Sequence, residues 1–292
     1  MLKYRPFEMH CHTRHSDGTF LVPQLIESVA AYGYAGLALT DHNAVTGLLE
    51  VTEELQRKNN CLVLPGIEWT TFYGHLLVIG CDRFVDWRFV TPDTIDEALQ
   101  EIRAAGGIAG VAHPCEVGSP LMCGCNWEFR VKRWDLMDYV EIWSGPDPHA
   151  SAKNGLAMPW YDALLNQGYH LAISAGRDWH GPDKPGQIPL LTATYLGIDG
   201  DVTIENAKAA IRAGRTYVTT GPTVDVTLKQ ENRIYSLGQT AHPGPLFPCG
   251  SAWRNEAAFG LTMKSHLSPS GWYTMEKSWL NSPTTVSLWI FP

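Results

Sequence analysis

The residues of this sequence that could do chemistry are histidines and carboxylates at the ends of short apolar runs. His10 and His12 close the first run as a His-x-His pair. In a β-strand alternate side chains point to the same side, so both rings can reach one metal ion while Cys11 points away. The other candidates end, follow or open later runs, and they are Asp41, His42, Glu68, His75, His113, Asp178 and His180.

These residue types indicate transition-metal chemistry. Imidazole and carboxylate groups bind zinc, manganese and iron, and a carboxylate can bridge two ions. Two ions about 3.5–4 Å apart can share a hydroxide at neutral pH, because the pKa of the bound water falls toward ~7. The pattern therefore predicts a metal-dependent hydrolase. For Asp41 two roles stay open, a group that contacts a ligand or a cap for the following turn.

Other kinds of active site fit the sequence less well. It has no Gly-x-Ser-x-Gly elbow, no P-loop, and no Gly-x-Gly-x-x-Gly after the first strand. A cysteine nucleophile, either Cys11 beside His12 or Cys115 beside His113, would leave the carboxylates without a role. The nearby cysteines 115, 123 and 125 could form a thiolate metal site, but a loop that happens to contain cysteines is the simpler interpretation.

Composition indicates a globular protein with one large α/β barrel or two domains, since 292 residues include 45% hydrophobic and 18% charged ones. The net charge of −8 disfavours a broad nucleic-acid surface, although a small nucleotide remains a possible substrate. No apolar run reaches the ~20 residues of a membrane span, and the first residues lack a signal-peptide core. Seven irregularly spaced cysteines fit free thiols. We expect a cytoplasmic enzyme without a membrane partner.

Strand-like and helical segments alternate up to about residue 220. The predicted strands are Phe7–Cys11, Gly36–Thr40, Leu62–Ile67, His75–Gly80, Gly107–Ala112, Tyr139–Trp143, Leu171–Ala175 and Thr192–Ile198. Helices are expected to end at Gly33, Gly106 and Gly214. This alternation predicts a parallel sheet, open or closed into a barrel, whose C-terminal strand ends meet on one face. From about His242 the chain is rich in Ser, Pro, Gly and Trp, with one weak strand candidate at Val286–Phe291.

Five segments resemble the polymerase and histidinol phosphatase (PHP) superfamily, and they are His10–Gly18, Ala38–Asn43, Pro65–Trp69, Val111–Pro114 and Gly176–His180. Glu68–His75 and Gly214–Pro222 resemble its carbaryl-hydrolase-like branch. The resemblance covers roughly residues 7–225 and implies a distorted seven-stranded (β/α) barrel, so that one of the eight predicted strands would be peripheral. We therefore expect a barrel domain over residues 1–225 and a C-terminal extension over residues 226–292.

The resemblance also implies two or three divalent transition metal ions, which would be zinc, manganese or iron. The first site would take His10, His12, Glu68 and Asp178. The second would share Glu68 and add His113 and His75, and the third would use Asp17, His42 and His180. Many members have histidine at the position of Asp17 and serine at that of Arg177, so Arg177 is a candidate for contact with substrate.

Phosphoester hydrolysis is the commonest activity that the resemblance implies, with a small phosphorylated molecule as substrate. The branch suggests hydrolysis of a carbamate or carboxylic ester as an alternative, because both reactions use metal-activated hydroxide. A third interpretation is a non-catalytic metal-binding module, as in polymerase-associated relatives. The complete ligand set disfavours that module. Arg177 separates the first two interpretations, since it would either clamp phosphate oxygens or pair with a carboxylate at the barrel rim.

Overall fold

Nine strands form one mixed sheet that curls into a nearly closed barrel. The computed structural model describes residues 2–118, 124–183, 192–221, 223–230, 233–239 and 260–265. The strands are β1 Leu2–Cys11, β2 Gly36–Leu39, β3 Leu62–Thr71, β4 Gly74–Ile79, β5 Ile108–Ala112, β6 Tyr139–Ser144, β7 Ala172–Gly176, β8 Ala193–Asp199 and β9 Thr216–Thr219. Their order across the sheet is β7-β6-β5-β4-β3-β2-β1-β8-β9.

Strand number and direction depart from the expectation. All eight predicted strands are present and belong to the sheet, and Thr216–Thr219 adds a ninth, so the expected seven-stranded barrel is wrong in its count. The sheet is also not wholly parallel, because β4 runs antiparallel to both β3 and β5. Only Phe72 and Tyr73 join β3 to β4, and a connection this short permits a hairpin but no crossover.

The gap between the two ends of the sheet is bridged at β7. The hydroxyl of Thr194 in β8 accepts from the backbone N–H of Ala175 at 2.7 Å and donates to its carbonyl at 2.8 Å. Beyond β7, the N–H of Trp179 donates to the carbonyl of His10 at 3.1 Å, and the N–H of His12 donates to the carbonyl of Trp179 at 3.0 Å. The residues that follow β7 are thereby held against the end of β1.

Five helices lie outside the sheet, and among the described residues they are α1 Val22–Ala31, α2 Glu53–Asn59, α3 Ile95–Ala104, α4 Ala152–Asn166 and α5 Ile204–Arg212. In α1 the side chains of Leu25, Ile26 and Val29 are buried. The predicted helix stops are confirmed, since Gly33, Gly106 and Gly214 all have positive φ, a conformation that glycine adopts without a Cβ clash. No helix in the described ranges is both long and apolar enough to cross a membrane.

A separate antiparallel sheet contains β10 Val224–Gln230, β11 Arg233–Ser236 and β12 Gly260–Ser265, in the order β11-β10-β12. The boundary expected between residues 225 and 226 falls within β10, and the division into two domains stays a prediction. The strand candidate Val286–Phe291 lies outside the described residues.

Candidate metal centre

The residues predicted for the first metal site meet at one point. β1 supplies His10 and His12, β3 supplies Glu68, and the turn after β7 supplies Asp178. Nε2 of His10 lies 3.1 Å from Oε2 of Glu68 and 3.3 Å from Oδ1 of Asp178. Nε2 of His12 lies 3.0 Å from that same Oδ1. One atom from each of these four residues falls within 4.8 Å of the others, a group suited to a single ion.

The other oxygen of Glu68 faces the residues predicted for the second site. Its Oε1 lies 2.8 Å from Nδ1 of His75 and 3.2 Å from Nε2 of His113. His75 opens its strand, whereas most candidates close theirs, and it reaches the same face because β4 runs antiparallel to β3. Glu68 therefore stands between two groups of histidines, as a bridging carboxylate would.

The residues predicted for the third site also come together, at the more exposed edge of the centre. Oδ1 of Asp17 lies 3.2 Å from Nε2 of His180 and 3.6 Å from Nε2 of His42. The ring of His12 stacks on both histidines, with centroids 4.1 Å from His180 and 4.2 Å from His42. Nδ1 of His42 also lies 2.9 Å from Oε2 of Glu68, so His42 borders the second group as well.

Two buried atoms that face the first group lack hydrogen-bond partners, which fits an ion-binding role. Among the described residues they are Nε2 of His10 and Oε2 of Glu68. Buried polar atoms in proteins nearly always have a hydrogen-bond partner, and a buried polar atom without one costs about 1–3 kcal/mol of stability. The histidine and carboxylate donors match zinc, manganese or iron.

Electrostatics favour ionised carboxylates in this centre. Burial alone would raise the pKa of Glu68, but the charge of His10 and hydrogen bonds from neighbouring histidines hold it well below the usual range. The pKa of Asp178 is held well below its usual range in spite of burial, by the charge of His10 and a hydrogen bond from His12. Burial lowers the pKa of His12, which favours the neutral ring that binds metal.

Two buried glutamates that the sequence analysis missed hold the ligands in place. Oε1 of Glu141 accepts from Nδ1 of His10 at 3.0 Å, and Oε2 accepts from the backbone N–H of His113 at 3.0 Å. Oε1 of Glu8 accepts the backbone N–H groups of His10 and Arg177 at 3.0 and 2.9 Å, and burial raises the pKa of Glu8 to about 7. Glu141 carried a signal in the sequence as the one charged residue of β6, whereas Glu8 shares β1 with Lys3, Arg5 and His10.

Asp41 supports the loop after β1. Its Oδ1 accepts the backbone N–H of Thr13 at 2.6 Å and the hydroxyl of Ser16 at 2.8 Å, while Oδ2 accepts the hydroxyl of Thr13 at 2.8 Å. Asp41 thus fixes the segment that leads from His12 to Asp17, and it belongs to none of the metal-binding groups found among the described residues.

Two ligands occupy backbone conformations that are costly for residues with a side chain. His113 follows β5 with φ of 24°, and Asp178 follows β7 with φ of 49°. Positive φ of this kind is uncommon outside glycine and costs roughly 1–2 kcal/mol. The chain turns sharply at both residues, just where their side chains enter the centre.

Arg177 points away from the ligand groups. Its guanidinium pairs with both carboxylate oxygens of Asp183, lies 4.0 Å from the ring centroid of Trp179, and is 4% exposed as a residue. The hydroxyl of Tyr32 donates to the same aspartate at 2.7 Å. The structure thus contains the carboxylate pairing considered for this residue, and its role in catalysis stays a prediction.

The cysteines considered as nucleophiles lie in environments that favour the thiol. Cys11 is fully buried and its Sγ donates to the carbonyl of Ala38 at 3.1 Å. Burial raises the pKa of Cys11 well above its ordinary value, and burial also raises the pKa of Cys115. Reactive cysteines need the opposite shift, so a cysteine mechanism has no support here.

Comparison with known proteins shows similarity to one family over the first third of the chain. Residues 8–104 match the PHP domain family. Over 79 residues the chain is 34% identical to the 3′,5′-nucleoside bisphosphate phosphatase of Chromobacterium violaceum, a stretch that covers 26% of this chain and 27% of that protein. The chain therefore spans about a quarter of the length of this curated relative.

The fold is similar to that of a two-domain protein from Bacteroides vulgatus described as containing a predicted PHP-like metal-dependent phosphoesterase. The TM-score is 0.57 at 16% identity, over 80% of this chain and 73% of the other. An amidohydrolase from Chromobacterium violaceum gives a TM-score of 0.43 at 19% identity, over 60% of this chain and 88% of the other. Residues 8–104 are thus similar to the PHP domain family, and the fold of the chain is similar to that of the Bacteroides vulgatus protein. Its place in the carbaryl-hydrolase-like branch stays a prediction.

Proposed function

We propose that this protein is a metal-dependent phosphoesterase of the PHP superfamily that holds two or three divalent ions. The observation that carries the proposal is the position of Glu68. Its two oxygens face two separate groups of histidines within hydrogen-bond distance. A buried carboxylate shared in this way is what a two-metal hydrolase needs.

In this proposal the protein residues bind the ions and fix their geometry. His10, His12, Glu68 and Asp178 hold the first ion, and Glu68 with His75 and His113 holds the second. The edge formed by Asp17, His42 and His180 would hold a third. When bound, such ions activate water and polarise a phosphoryl oxygen.

The proposed substrate is a small phosphorylated molecule. The relative from Chromobacterium violaceum is a nucleoside bisphosphate phosphatase, and this supports a phosphate ester as substrate. The net charge of −8 fits a small nucleotide better than an extended nucleic acid, because long polyanions need a broad basic surface.

Hydrolysis of a carbamate or carboxylic ester is the second candidate, and the pairing of Arg177 favours it. A guanidinium already engaged with Asp183 is not free to clamp a phosphate. Arg177→Ala separates the two reactions. If the arginine released Asp183 to bind substrate, phosphoester turnover would fall about a hundredfold, while a neutral carbamate would be much less affected. Wild-type phosphoester rates in Arg177→Ala would show that the pairing is structural.

The test of the proposal combines elemental analysis with a substrate panel. Purified protein should contain at least two transition-metal ions per chain, and His10→Ala should lose metal and activity together. Zinc- or manganese-loaded protein should hydrolyse phosphoesters faster than aryl carbamates. Protein that contains no metal and gains no activity on adding zinc or manganese would contradict the proposal.

A further inference from the structure

An ion pair between Lys153 and Glu116 borders the metal centre. Lys153 lies in the first turn of α4, after β6, and Glu116 lies in the loop after β5, so both residues are at the strand ends that carry ligands. Nζ of Lys153 contacts Oε2 of Glu116, and the side chains are 22% and 30% exposed. That Oε2 is 3.8 Å from Nδ1 of His113. One carboxylate therefore separates a cation from a predicted ligand ring.

Stability alone does not explain the position of this pair. Partly exposed ion pairs contribute about 0–1 kcal/mol, so stability gives little reason for one at this place. Nδ1 of His113 is buried and has no hydrogen-bond partner in the described part of the chain. A metal-ligating histidine normally donates its second N–H to a carboxylate or carbonyl. Glu116 has the carboxylate next to Nδ1 of His113, but it is paired with Lys153 and stays 3.8 Å from that nitrogen, beyond hydrogen-bond distance.

Exposed apolar residues lie close in sequence to both members of the pair. Val117 directly follows Glu116 and is 90% exposed, and Leu156 lies one turn after Lys153 and is 60% exposed. The hydroxyl of Ser144 lies 3.5 Å from Nζ of Lys153. The surroundings thus offer one cation, one hydroxyl and apolar surface next to the ligand face.

We propose that Lys153 binds a second anionic group of the substrate, and that this group replaces Glu116 on Nζ. This inference rests on the proposed phosphoesterase function. It narrows the substrate class to phosphoesters that carry a second anionic group, with a short apolar skeleton between the two groups. A phosphate dianion carries more charge than a carboxylate and competes well for a lysine. Once released, Glu116 can accept the N–H of His113 and orient that ring. Substrate binding and ligand orientation would then be coupled.

Calorimetric titration of the zinc-loaded full chain with non-hydrolysable phosphonates tests this directly. The probes are propylphosphonate and three bisphosphonates built on propane, butane and pentane. In the wild type at least one bisphosphonate should bind about tenfold or more tightly than the monophosphonate. Lys153→Met should remove this preference, so that the bisphosphonates and propylphosphonate bind with similar affinity. Glu116→Gln should bind the preferred bisphosphonate at least as tightly as the wild type, because a competing charge is gone.

Lys58→Met is the matched control, since Lys58 pairs with Glu27 at 3.4 Å on an exposed surface. It should behave as the wild type. The inference is overturned if no bisphosphonate binds more tightly than propylphosphonate, if Lys153→Met keeps the preference, or if Glu116→Gln weakens it. Phosphonates are not hydrolysed, so this binding result is independent of turnover. A wild type that binds them as expected but hydrolyses no phosphoester would contradict only the proposed function.

Discussion

At the level of single residues, Glu141 links two ligands that come from different strands. It binds the ring of His10 and the backbone of His113, and it is fully buried. A carboxylate that accepts from a ligating histidine fixes the ring and makes it a stronger ligand. Glu141 is therefore a positioning residue for both proposed ions.

Glu141→Gln should weaken metal binding about 10- to 100-fold, because the amide keeps the shape but loses the negative charge. Competition with a chelator of known affinity measures the change. Asp138→Asn is the matched control, since Asp138 is also a buried carboxylate beside β6 and pairs with Arg103 at 3.1 Å. The control should lose stability and keep its metal affinity. Equal metal affinity in Glu141→Gln and the wild type would show that Glu141 serves only packing.

Sequence reasoning identified the residues that converge on this centre better than the residues behind them. His10, Glu68 and His113 were recognisable because they lie at the ends of apolar runs, where polar side chains from several strands can meet on one face of the sheet. Glu141 was marked only as the one charged residue of an apolar run, and it has no spacing partner among the strand ends. Its role depends on β6 lying beside β5, which is a tertiary fact.

At the level of elements, the packing of β7 against β1 sets the geometry of the first proposed site. A Cβ added at Gly176 would lie 2.4 Å from Cβ of His10 and 2.7 Å from Oε1 of Glu141. Real Cβ atoms do not approach this closely, so a side chain at residue 176 must displace the ligand strand or the glutamate. Glycine is needed here for close approach of two strands.

Gly176→Ala should lower the metal content of the purified protein and its melting temperature, since overpacking costs typically about 1–3 kcal/mol. Elemental analysis and thermal unfolding measure the two effects. Gly155→Ala is the control, because no atom lies within 4 Å of its added Cβ in helix α4. It should keep full metal content and gain slightly in stability from the better helix propensity. Full metal content in Gly176→Ala would mean that the strands can separate without disturbing the site.

Element positions were predictable where the local pattern decides them. The eight predicted strands and three helix ends agree with the structure because apolar runs and glycines mark them locally. Strand direction was not predictable in this way, and the sheet was wrongly expected to be parallel. The predicted strands left about seven residues between Ile67 and His75, which is too few for a helical crossover and would have permitted an antiparallel pair. β9 is only four residues long and gave no comparable run.

At the level of the whole molecule, stability and metal binding should respond differently to pH. The pKa of Glu68 lies well below 4.5, so its ionised form stabilises the fold above that value, and the gain is lost as pH falls through the folded-state pKa. The pKa of His10 lies well above 6.5, raised by the charges of Glu68 and Glu141 against the effect of burial. Its stabilising effect is complete below 6.5 and is lost as pH rises through the folded-state pKa.

Metal-free protein should therefore be most stable between about pH 4.5 and 6.5 as far as these two groups decide it. Metal binding needs deprotonated ligands, so its stabilising effect should grow as pH rises. The difference in melting temperature between zinc-loaded and chelator-treated protein should increase from about pH 5.5 to about pH 7.5. A difference that is constant across this range would mean that the histidines do not exchange protons for metal.

The positive φ of Asp178 has a consequence for how this protein can change over time. Asp178→Ala and Asp178→Gly both remove the carboxylate, but only glycine also relieves the backbone. The glycine variant should unfold at higher denaturant concentration, by about 1 kcal/mol of unfolding free energy. Equal stability of the two variants would show that the turn is not strained. If it is, two effects oppose each other at residue 178, because glycine would relieve the backbone while the contacts of the carboxylate with His10 and His12 would be lost. A descendant freed from its reaction would keep or lose the aspartate according to which of these two energies is larger.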